Sequence, residues 1–334
     1  MTAIEVVSAG PGVTVQDLGR PGFLSVGISR GGAADPIALA EGAALLGQPI
    51  DCAAIEMAGV GGRFRFDGPT AIALTGAEML AKLDGEPLGW TQTHAIAAGQ
   101  VLDIGGARNG VYGYLHVAGG IVTDPVLHSR STHIVAGLGR PVAAGDRLPV
   151  GKTPNARAGM ALTPMPRFGG GTIRVVPTLQ TPLFEKQIKD FQDTTFTKDG
   201  RSNRMGARMA SDGPGFGTEG SLTVLSEIIS PGDIQITGDG APYVLMAECQ
   251  TTGGYPRIGT VIPPDLPKVA QALPGTALRF EFITLEQGVA ALRAYRAELK
   301  GLPGRVAPLL RRPEDMTDLL SYNLISGMIA GTEE

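Results

Sequence analysis

The sequence predicts a mainly β protein built from two small barrels or sandwiches, each with a short helix or two. Three features predict this fold: many turn-forming residues, runs in which apolar and charged residues alternate, and a similarity between the two halves. Glycine accounts for 49 of the 334 residues and proline for 25, without a collagen-like period. Glycine usage about twice the ordinary level indicates many tight turns, which usually join short strands.

The alternating runs predict the strands, and two capping patterns predict the helices. Residues 63–66 and 278–282 alternate apolar with charged side chains, as a strand with one buried face does. Residues 35–47 begin with an Asp-Pro pair suited to a helix start and end at glycine. Residues 284–301 begin with a Thr-x-x-Gln capping box and also end at glycine. We therefore expect few helices among many strands.

The two halves of the chain share three short similarities in the same order, which indicates two copies of one domain. They pair residues 54–56 with 225–227, 73–76 with 235–238, and 98–104 with 274–280. Residues 151–171 are rich in glycine and proline and read as the joint. The sequence thus predicts a first domain over residues 1–160, a second over 172–300 and a C-terminal helical extension over 301–334.

Composition argues against several classes of protein. The formal net charge is −4 and no basic cluster occurs, which argues against a nucleic-acid surface. The two cysteines, Cys52 and Cys249, form neither a disulfide framework nor a metal-binding pair. No signal peptide and no membrane-spanning apolar run is visible. We expect a cytoplasmic protein that acts on neither nucleic acid nor membrane.

Three generic motifs lack the context that their chemistry needs. Residues 215–220 match Gly-x-Gly-x-x-Gly, but no strand precedes them and no helix pattern follows. Residues 27–31 match the Gly-x-Ser-x-Gly nucleophile pattern, yet none of the four histidines can be placed near Ser29 from the sequence. The histidine spacings support no metal site, so we expect no bound metal.

A polar, glycine-containing segment is the strongest local sign of a binding site. Two adjacent glycines there could turn backbone N–H groups toward a ligand, while Thr and Gln could orient an amide or carboxylate. The alternative is a glycine turn closed by a packed tyrosine. The candidate substrate-binding residues of this segment are Gln250, Thr251, Thr252, Gly253, Gly254 and Tyr255.

The same segment and several other blocks resemble a known family. The blocks are residues 249–271, 10–22, 31–35, 119–120, 129–132, 203–208 and 226–227, together with Glu56. Over about residues 4–285 the chain resembles the biotin-dependent carboxyltransferase / 5-oxoprolinase C-subunit family, which includes allophanate hydrolase subunit 2 and the related urea carboxylase domain. It departs from the family pattern at His128, at Glu248-Cys249 and at Glu41-Gly42.

The resemblance implies two tandem cyclophilin-like β-barrel domains and a place in a multi-subunit enzyme. The first implied activity is ATP-dependent ring opening of 5-oxoproline, together with a protein like the 5-oxoprolinase B-subunit and a hydantoinase-like subunit that uses the ATP. The second is transfer of a carboxyl group from carboxybiotin to urea or a similar amide. Because no Met-Lys biotinylation motif occurs, the biotin would be external and this chain would bind no cofactor itself. The third is a regulatory protein that binds a kinase-inhibitor-like partner without catalysis.

Either reaction needs cations that hold a carbonyl or carboxylate and an acid that moves a proton. Within the matching blocks we expect Arg20, Arg130 and Arg204 to bind the substrate. The acid–base candidates are Asp35, Glu56, Glu227 and Asp265. The structural alternative is an ion pair between Arg204 and Glu227.

The C-terminal extension carries an unusually apolar helix pattern. Residues 313–315 suit a helix start, and the apolar positions that follow to residue 329 form a surface wider than a solvated helix exposes. Either the chain's own second barrel or a partner must cover this surface, and we favour a partner or a second copy of the chain.

Overall fold

The computed structural model describes residues 2–153, 156–217 and 224–310, and the extension helix predicted over 313–329 lies outside them. The regular elements of the first half are mostly strands. They are β1 (Ala3–Ala9), β2 (Thr14–Gln16), β3 (Ala54–Ala58), β4 (Gly62–Phe66), β5 (Thr70–Gly76), β6 (Met79–Leu83), β7 (Glu86–Pro87), β8 (Gln92–Ile96), β9 (Val101–Ala107), β10 (Tyr112–Val117), β11 (Arg147–Pro149) and β12 (Met160–Ala161). A 3₁₀ turn (Leu24–Val26) and helix α1 (Pro36–Leu46) lie between β2 and β3.

Two sheets face each other across the core of the first half. One has the strand order β11-β1-β4-β9-β6-β7, and the other begins β2-β3-β10-β5-β8-β12. Phe64 and Phe66 from the first sheet meet Ile55, Leu74 and Leu115 from the second, and all five are fully buried. The alternation predicted for residues 63–66 therefore holds, because β4 points its two aromatic side chains inward.

Helix α1 packs on β5 and β10, and its ends are fixed as the sequence predicts. The Asp35 carboxylate accepts from the backbone N–H groups of Ile37 at 3.1 Å and Ala38 at 3.3 Å, and Pro36 follows at the first helical position. Gly47 ends the helix with a φ of 61°, a conformation that costs glycine little. Most of the helix is buried, so α1 is a core element rather than a surface one.

The second half closes into a barrel. Its elements are β13 (Gly171–Val176), a 3₁₀ segment (Thr181–Gln187), α2 (Ile188–Asp193), β14 (Phe196–Lys198), β15 (Gly206–Ala210), β16 (Glu227–Ile228), β17 (Asp233–Ile236), β18 (Pro242–Leu245), β19 (Thr252–Gly253), β20 (Arg257–Val261), α3 (Leu266–Gln271), β21 (Ala277–Phe282), α4 (Leu285–Gly301), a 3₁₀ turn (Leu302–Arg305) and β22 (Ala307–Pro308). The closed barrel has the order β13-β20-β17-β18-β15-β14-β21. Phe191, Phe196, Phe216 and Phe280 pack together inside it. The mainly β prediction is confirmed.

After α4 the chain returns to the first half. The predicted capping box is present, since Thr284 accepts from Gln287 N–H and Gln287 accepts from Thr284 N–H. Leu302 is then buried beside α1, and β22 pairs with β12 at the edge of the second sheet. The proposed domain boundaries remain a prediction, but residues 307–308 are hydrogen-bonded to the first half.

None of the helices among the described residues is long and apolar enough to cross a membrane. Of the predicted Gly-x-Gly-x-x-Gly pattern, residues 218–220 lie outside the described part of the chain.

A buried histidine joins α1 to the second sheet. His116 on β10 packs against Gly42, where an added Cβ would lie 2.3 Å from the ring, so only glycine fits there. Its Nε2 lies 2.7 Å from the Thr75 hydroxyl, which itself donates to the Ala38 carbonyl oxygen. The hydroxyl therefore accepts from Nε2–H. Burial lowers the pKa of His116 to about 3, so the folded protein keeps the ring neutral.

This histidine should make the protein less stable in acid. Below a pH of about 6.5, the unfolded chain binds a proton on residue 116 that the folded chain does not. The free energy of unfolding should therefore fall by about 1.4 kcal/mol per pH unit from this site as the pH drops toward 3. His116→Gln should reduce the slope measured by urea unfolding across this range. The control, His128→Gln at an exposed position, should keep it. An unchanged slope in His116→Gln would contradict the assignment.

Candidate functional site

One arginine joins the two halves at the centre of the molecule. Arg204, just before β15, pairs with Glu56 on β3 through Nη1 and with Glu248 through Nε at 2.6 Å. Its Nη2 donates to the Gly32 carbonyl oxygen at 2.6 Å. The two acids are almost fully buried and Arg204 is 11% exposed, so water screens these charges little. Burial lowers the pKa of Arg204, but Glu56 and Glu248 outweigh burial and raise it overall.

Both oxygens of the Glu56 carboxylate accept hydrogen bonds. Its Oε1 accepts from Arg204, and its Oε2 accepts from the Tyr114 hydroxyl at 2.6 Å and from Ala34 N–H at 2.8 Å. The Tyr114 hydroxyl in turn accepts from Asp35 N–H at 2.9 Å. Burial first, and then the Glu56 charge, raise the pKa of Tyr114 well above its usual value. The tyrosine therefore stays a donor, and Glu56 is held in one orientation.

Glu248 links Arg204 to a buried histidine. Its Oε2 accepts from Ile134 N–H at 3.0 Å and lies 3.8 Å from Nδ1 of His133. The other ring nitrogen, Nε2, lies 2.8 Å from Oγ of Ser29. The structure thus assembles a Ser-His-Glu arrangement that the sequence pattern at residues 27–31 could not establish.

The histidine is oriented in the sense opposite to that of a serine hydrolase. Ala136 N–H donates to Nδ1 of His133 at 3.2 Å, so Nδ1 is an acceptor and the ring proton sits on Nε2. Nε2–H then donates to the Ser29 oxygen instead of taking its proton. Burial lowers the pKa of His133, and Arg20 and Arg204 act in the same direction against Glu248, so the ring is neutral. The geometry does not activate Ser29 as a nucleophile, in agreement with the discounting of that motif.

Arg20 is a buried cation with incomplete pairing. Its Nη2 donates to the Ser131 carbonyl oxygen and its Nε lies 3.4 Å from that of Val126. Nη1 is buried and has no hydrogen-bond partner among the residues that the structure describes. Burial lowers the pKa of Arg20, and the charges of Asp17 and Glu248 only partly offset this effect.

A second buried group of ion pairs fixes α1 to the segment that joins the two halves. Arg167 binds Asp35 through Nε at 2.5 Å and Glu41 through Nη2 at 2.7 Å, and all three side chains are almost completely buried. Asp35 also accepts from Nε2 of Gln271 at 2.7 Å. Asp35 therefore caps a helix and joins elements, while its acid–base role remains a prediction. Glu41-Gly42, where the chain departs from the family pattern, supplies the acid for Arg167 and the space for His116.

Two predicted acids contact other partners. Glu227 is half-exposed and pairs with Arg257, and Asp265 pairs with Arg174 at 2.8 Å. The alternative of an ion pair between Arg204 and Glu227 is wrong, because each residue has a different partner. Asp265 accepts from both the backbone and the side chain of Arg174, which ties α3 to β13.

The third predicted arginine lies in a loop of the first half. Arg130 donates from Nε to the Thr123 carbonyl oxygen at 2.9 Å, and its backbone N–H donates to Asp17. It lines a cavity of about 290 Å³ within that half. His128, two residues earlier, has a φ of 65°, a left-handed conformation that is uncommon for a residue other than glycine.

The segment from Gln250 to Tyr255 forms a short strand at Thr252–Gly253 rather than a glycine turn, with bends at Thr251 and Tyr255. Thr252–Gly253 (β19) pairs with Glu227–Ile228 (β16), and the Gly254 carbonyl oxygen accepts from Val224 N–H at 2.9 Å. Neither Gly253 nor Gly254 has a positive φ. Part of this backbone is thus used for strand pairing, and its role in substrate binding remains a prediction.

A small pocket opens between the two halves, beside Arg20 and Ser29. It measures about 170 Å³ and is lined by residues 20–24, 28–30 and 229–231, which include Arg20 and Ser29. No group of three or more histidine, cysteine or acidic residues in the described part of the chain could hold a metal ion. Ser29 thus lines the pocket, and His133 contacts Ser29 without lining the pocket itself. They are 104 residues apart, and no local pattern could have paired them.

Removing Arg204 should destabilise the protein strongly. Arg204→Met would leave Glu56 and Glu248 buried without their cation, which we expect to cost about 3–5 kcal/mol of unfolding free energy. The matched control, Arg63→Met, breaks an exposed pair with Asp103 at 3.5 Å and should cost less than about 1 kcal/mol. Urea unfolding of both variants checks this, and equal losses would contradict the central role of Arg204.

Comparison with known proteins identifies the family. Residues 26–282 match the family model described as carboxyltransferase domain, subdomain A and B. The 5-oxoprolinase C-subunit of Haemophilus influenzae is 34% identical over 85% of this chain and 92% of its own length. That of Escherichia coli is 36% identical over 86% of this chain and 94% of its own length. The Kluyveromyces lactis urea carboxylase structure shares the fold, with a TM-score of 0.80 at 23% identity over 93% of this chain and 31% of that one. This chain therefore belongs to the biotin-dependent carboxyltransferase / 5-oxoprolinase C-subunit family.

Proposed function

We propose that this chain is the C-subunit of an ATP-dependent 5-oxoprolinase, which opens the cyclic amide 5-oxoproline to glutamate. The observation that carries the proposal is the match to two bacterial 5-oxoprolinase C-subunits over more than nine-tenths of their lengths. The partners would be a protein like the 5-oxoprolinase B-subunit and a hydantoinase-like subunit that uses the ATP. The cytoplasmic location expected from the sequence remains a prediction.

The buried cluster of Arg204, Glu56 and Glu248 suits a role in holding a substrate in position rather than a role in proton transfer. Glu56 accepts three hydrogen bonds, and Arg204 already donates to two acids and a carbonyl. Groups with this many fixed partners hold their geometry and provide a constant electrostatic environment. We assign Arg204 and Glu56 to that framework, and Arg20, with its unpaired N–H, to direct contact with the substrate.

Of the predicted acids, Glu227 remains the one with a partly exposed carboxylate. Its Oε2 accepts from Nε2 of Gln180 at 3.0 Å and from Arg257. Its strand pairs with β19, so the acid lies next to the segment that includes Gln250 and Tyr255. We propose that β16 and β19 form the edge of the binding site, where a partner subunit or the substrate approaches.

The second candidate is a carboxyltransferase subunit, which the description of the matching family model favours. Biotin would then be carried by another chain. The donors of Arg20 and Ser29 in the interdomain pocket fit an oxygen of a carboxyl or ureido group. The third candidate, a regulatory protein that binds a kinase-inhibitor-like partner, has no specific observation in its favour.

Reconstitution separates these candidates. The chain should be inactive alone and should support 5-oxoproline-dependent ATP hydrolysis when it is mixed with a B-subunit-like protein and a hydantoinase-like subunit. Glutamate release and ADP formation are the readouts, and a mixture without this chain is the control. ATP hydrolysis by the isolated chain with 5-oxoproline would contradict the proposed role. Urea-dependent loss of carboxyl groups from a carboxybiotin carrier would instead establish the second candidate.

A further inference from the structure

The small interdomain pocket is rich in hydrogen-bond donors and contains no acid. Its lining includes two arginines, Arg20 and Arg30, and two serines, Ser29 and Ser230, and no carboxylate from the described residues. Arg30 donates from Nε to the Leu18 carbonyl oxygen at 2.9 Å. A pocket with this lining favours a ligand that brings negative charge and accepts hydrogen bonds.

Arg20 provides the clearest sign of a missing partner. The side chain is 1% exposed, and among the described residues it donates hydrogen bonds only to carbonyl oxygens and forms no ion pair. Its Nη1 has no partner there. A buried guanidinium usually has a paired anion, because burial of an uncompensated charge is costly. The backbone of Gly31 lies beside Nη1, and a Cβ added to Gly31 would be 3.5 Å from this nitrogen.

The orientation of His133 gives the pocket a second donor. Because Nε2–H of His133 donates to Ser29, the serine oxygen uses a lone pair for this bond and its own proton stays free. No described residue accepts that proton. Ser29 lines the pocket, so its hydroxyl can donate to a ligand oxygen beside Arg20. His133 is thus a positioning residue for Ser29.

The rest of the pocket wall is apolar. Phe23, Ile28, Ile229 and Pro231 line it, and the first two come from one half of the chain and the last two from the other. The volume of about 170 Å³ admits a small molecule with a compact apolar body and excludes a nucleotide. A free inorganic anion would leave these walls without contacts.

We propose that Arg20 and Ser29 bind the carboxylate of a small ring-containing ligand in this pocket, with Phe23 and Ile229 packing on its apolar body. This inference rests on the proposed function to the extent that it names 5-oxoproline as the ligand. Loss of the charge-assisted hydrogen bonds that a carboxylate makes should weaken binding by about tenfold or more.

Titration calorimetry with the full chain tests the pocket on the ligand side. We expect 5-oxoproline to bind saturably and 5-oxoprolinamide, which lacks the carboxylate, to bind at least about tenfold more weakly. Inorganic phosphate should not compete. Equal affinity for acid and amide, competition by phosphate, or no saturable binding of 5-oxoproline at millimolar concentrations would overturn the proposal.

Variants test it on the protein side. Ser29→Ala should weaken 5-oxoproline binding several-fold and Arg20→Gln by about tenfold or more, with the thermal midpoint measured for each. Arg63→Gln, an exposed arginine of the same half, is the matched control and should bind as the parent does. If Arg20→Gln does not fold, Ser29→Ala and the ligand comparison decide the question. Unchanged affinity in Ser29→Ala together with folded Arg20→Gln would overturn the assignment.

The two proposals fail in different ways. If the chain binds 5-oxoproline as expected but the reconstituted mixture shows no 5-oxoproline-dependent ATP hydrolysis, the pocket is supported and the proposed function is wrong. If the mixture is active and both variants keep the parent Michaelis constant for 5-oxoproline, the function is supported and the pocket assignment is wrong.

Discussion

Arg204 forms ion pairs with two acids from opposite halves of the chain, and the position of the site depends on these ion pairs. Glu56 belongs to the first half, while Arg204 and Glu248 belong to the second. Glu248 in turn contacts the backbone and ring of the segment that carries His133. Because the three charges are buried together, removing any one of them would leave a buried charge without full compensation. The cluster is connected to the interdomain pocket through His133, which lies near Glu248 on one side and contacts Ser29 on the other.

Short sequence patterns predicted the helix caps and the strand alternation, because these features depend on neighbouring residues. The caps of α1 and α4 and the alternation in β4 and β21 follow from short-range rules, and the structure has each of them. The sheets are also consistent with the glycine-rich turns. The similarity between the halves extends to strands, because its second match falls in β5 and β17 and its third in β9 and β21. It does not predict how each half closes, since only the second half contains a closed barrel among the described residues.

The site was harder to predict because its contacts join distant parts of the chain. The resemblance selected Glu56 and Arg204, which do meet at the centre, and Arg20, which lines the pocket, yet it gave them no partners. Ser29 and His133 carry no local signal of their pairing, and the tautomer of the ring depends on the backbone of Ala136. Conversely, the two glycines after Thr252 suggested a turn, whereas Gly253 pairs with β16 and the Gly254 carbonyl oxygen accepts from Val224 N–H. Departures such as Glu41-Gly42 became intelligible only with Arg167 and His116 beside them.

A double-mutant cycle between Arg204 and Glu56 tests the central claim most directly. Arg204→Met, Glu56→Gln and the double variant would each be unfolded in urea at neutral pH, together with the parent chain. A shared buried ion pair predicts that the two losses of unfolding free energy are not additive, with a coupling of at least about 1.5 kcal/mol. Losses that add to within about 0.5 kcal/mol would show that the two residues stabilise the protein independently, and would contradict the account.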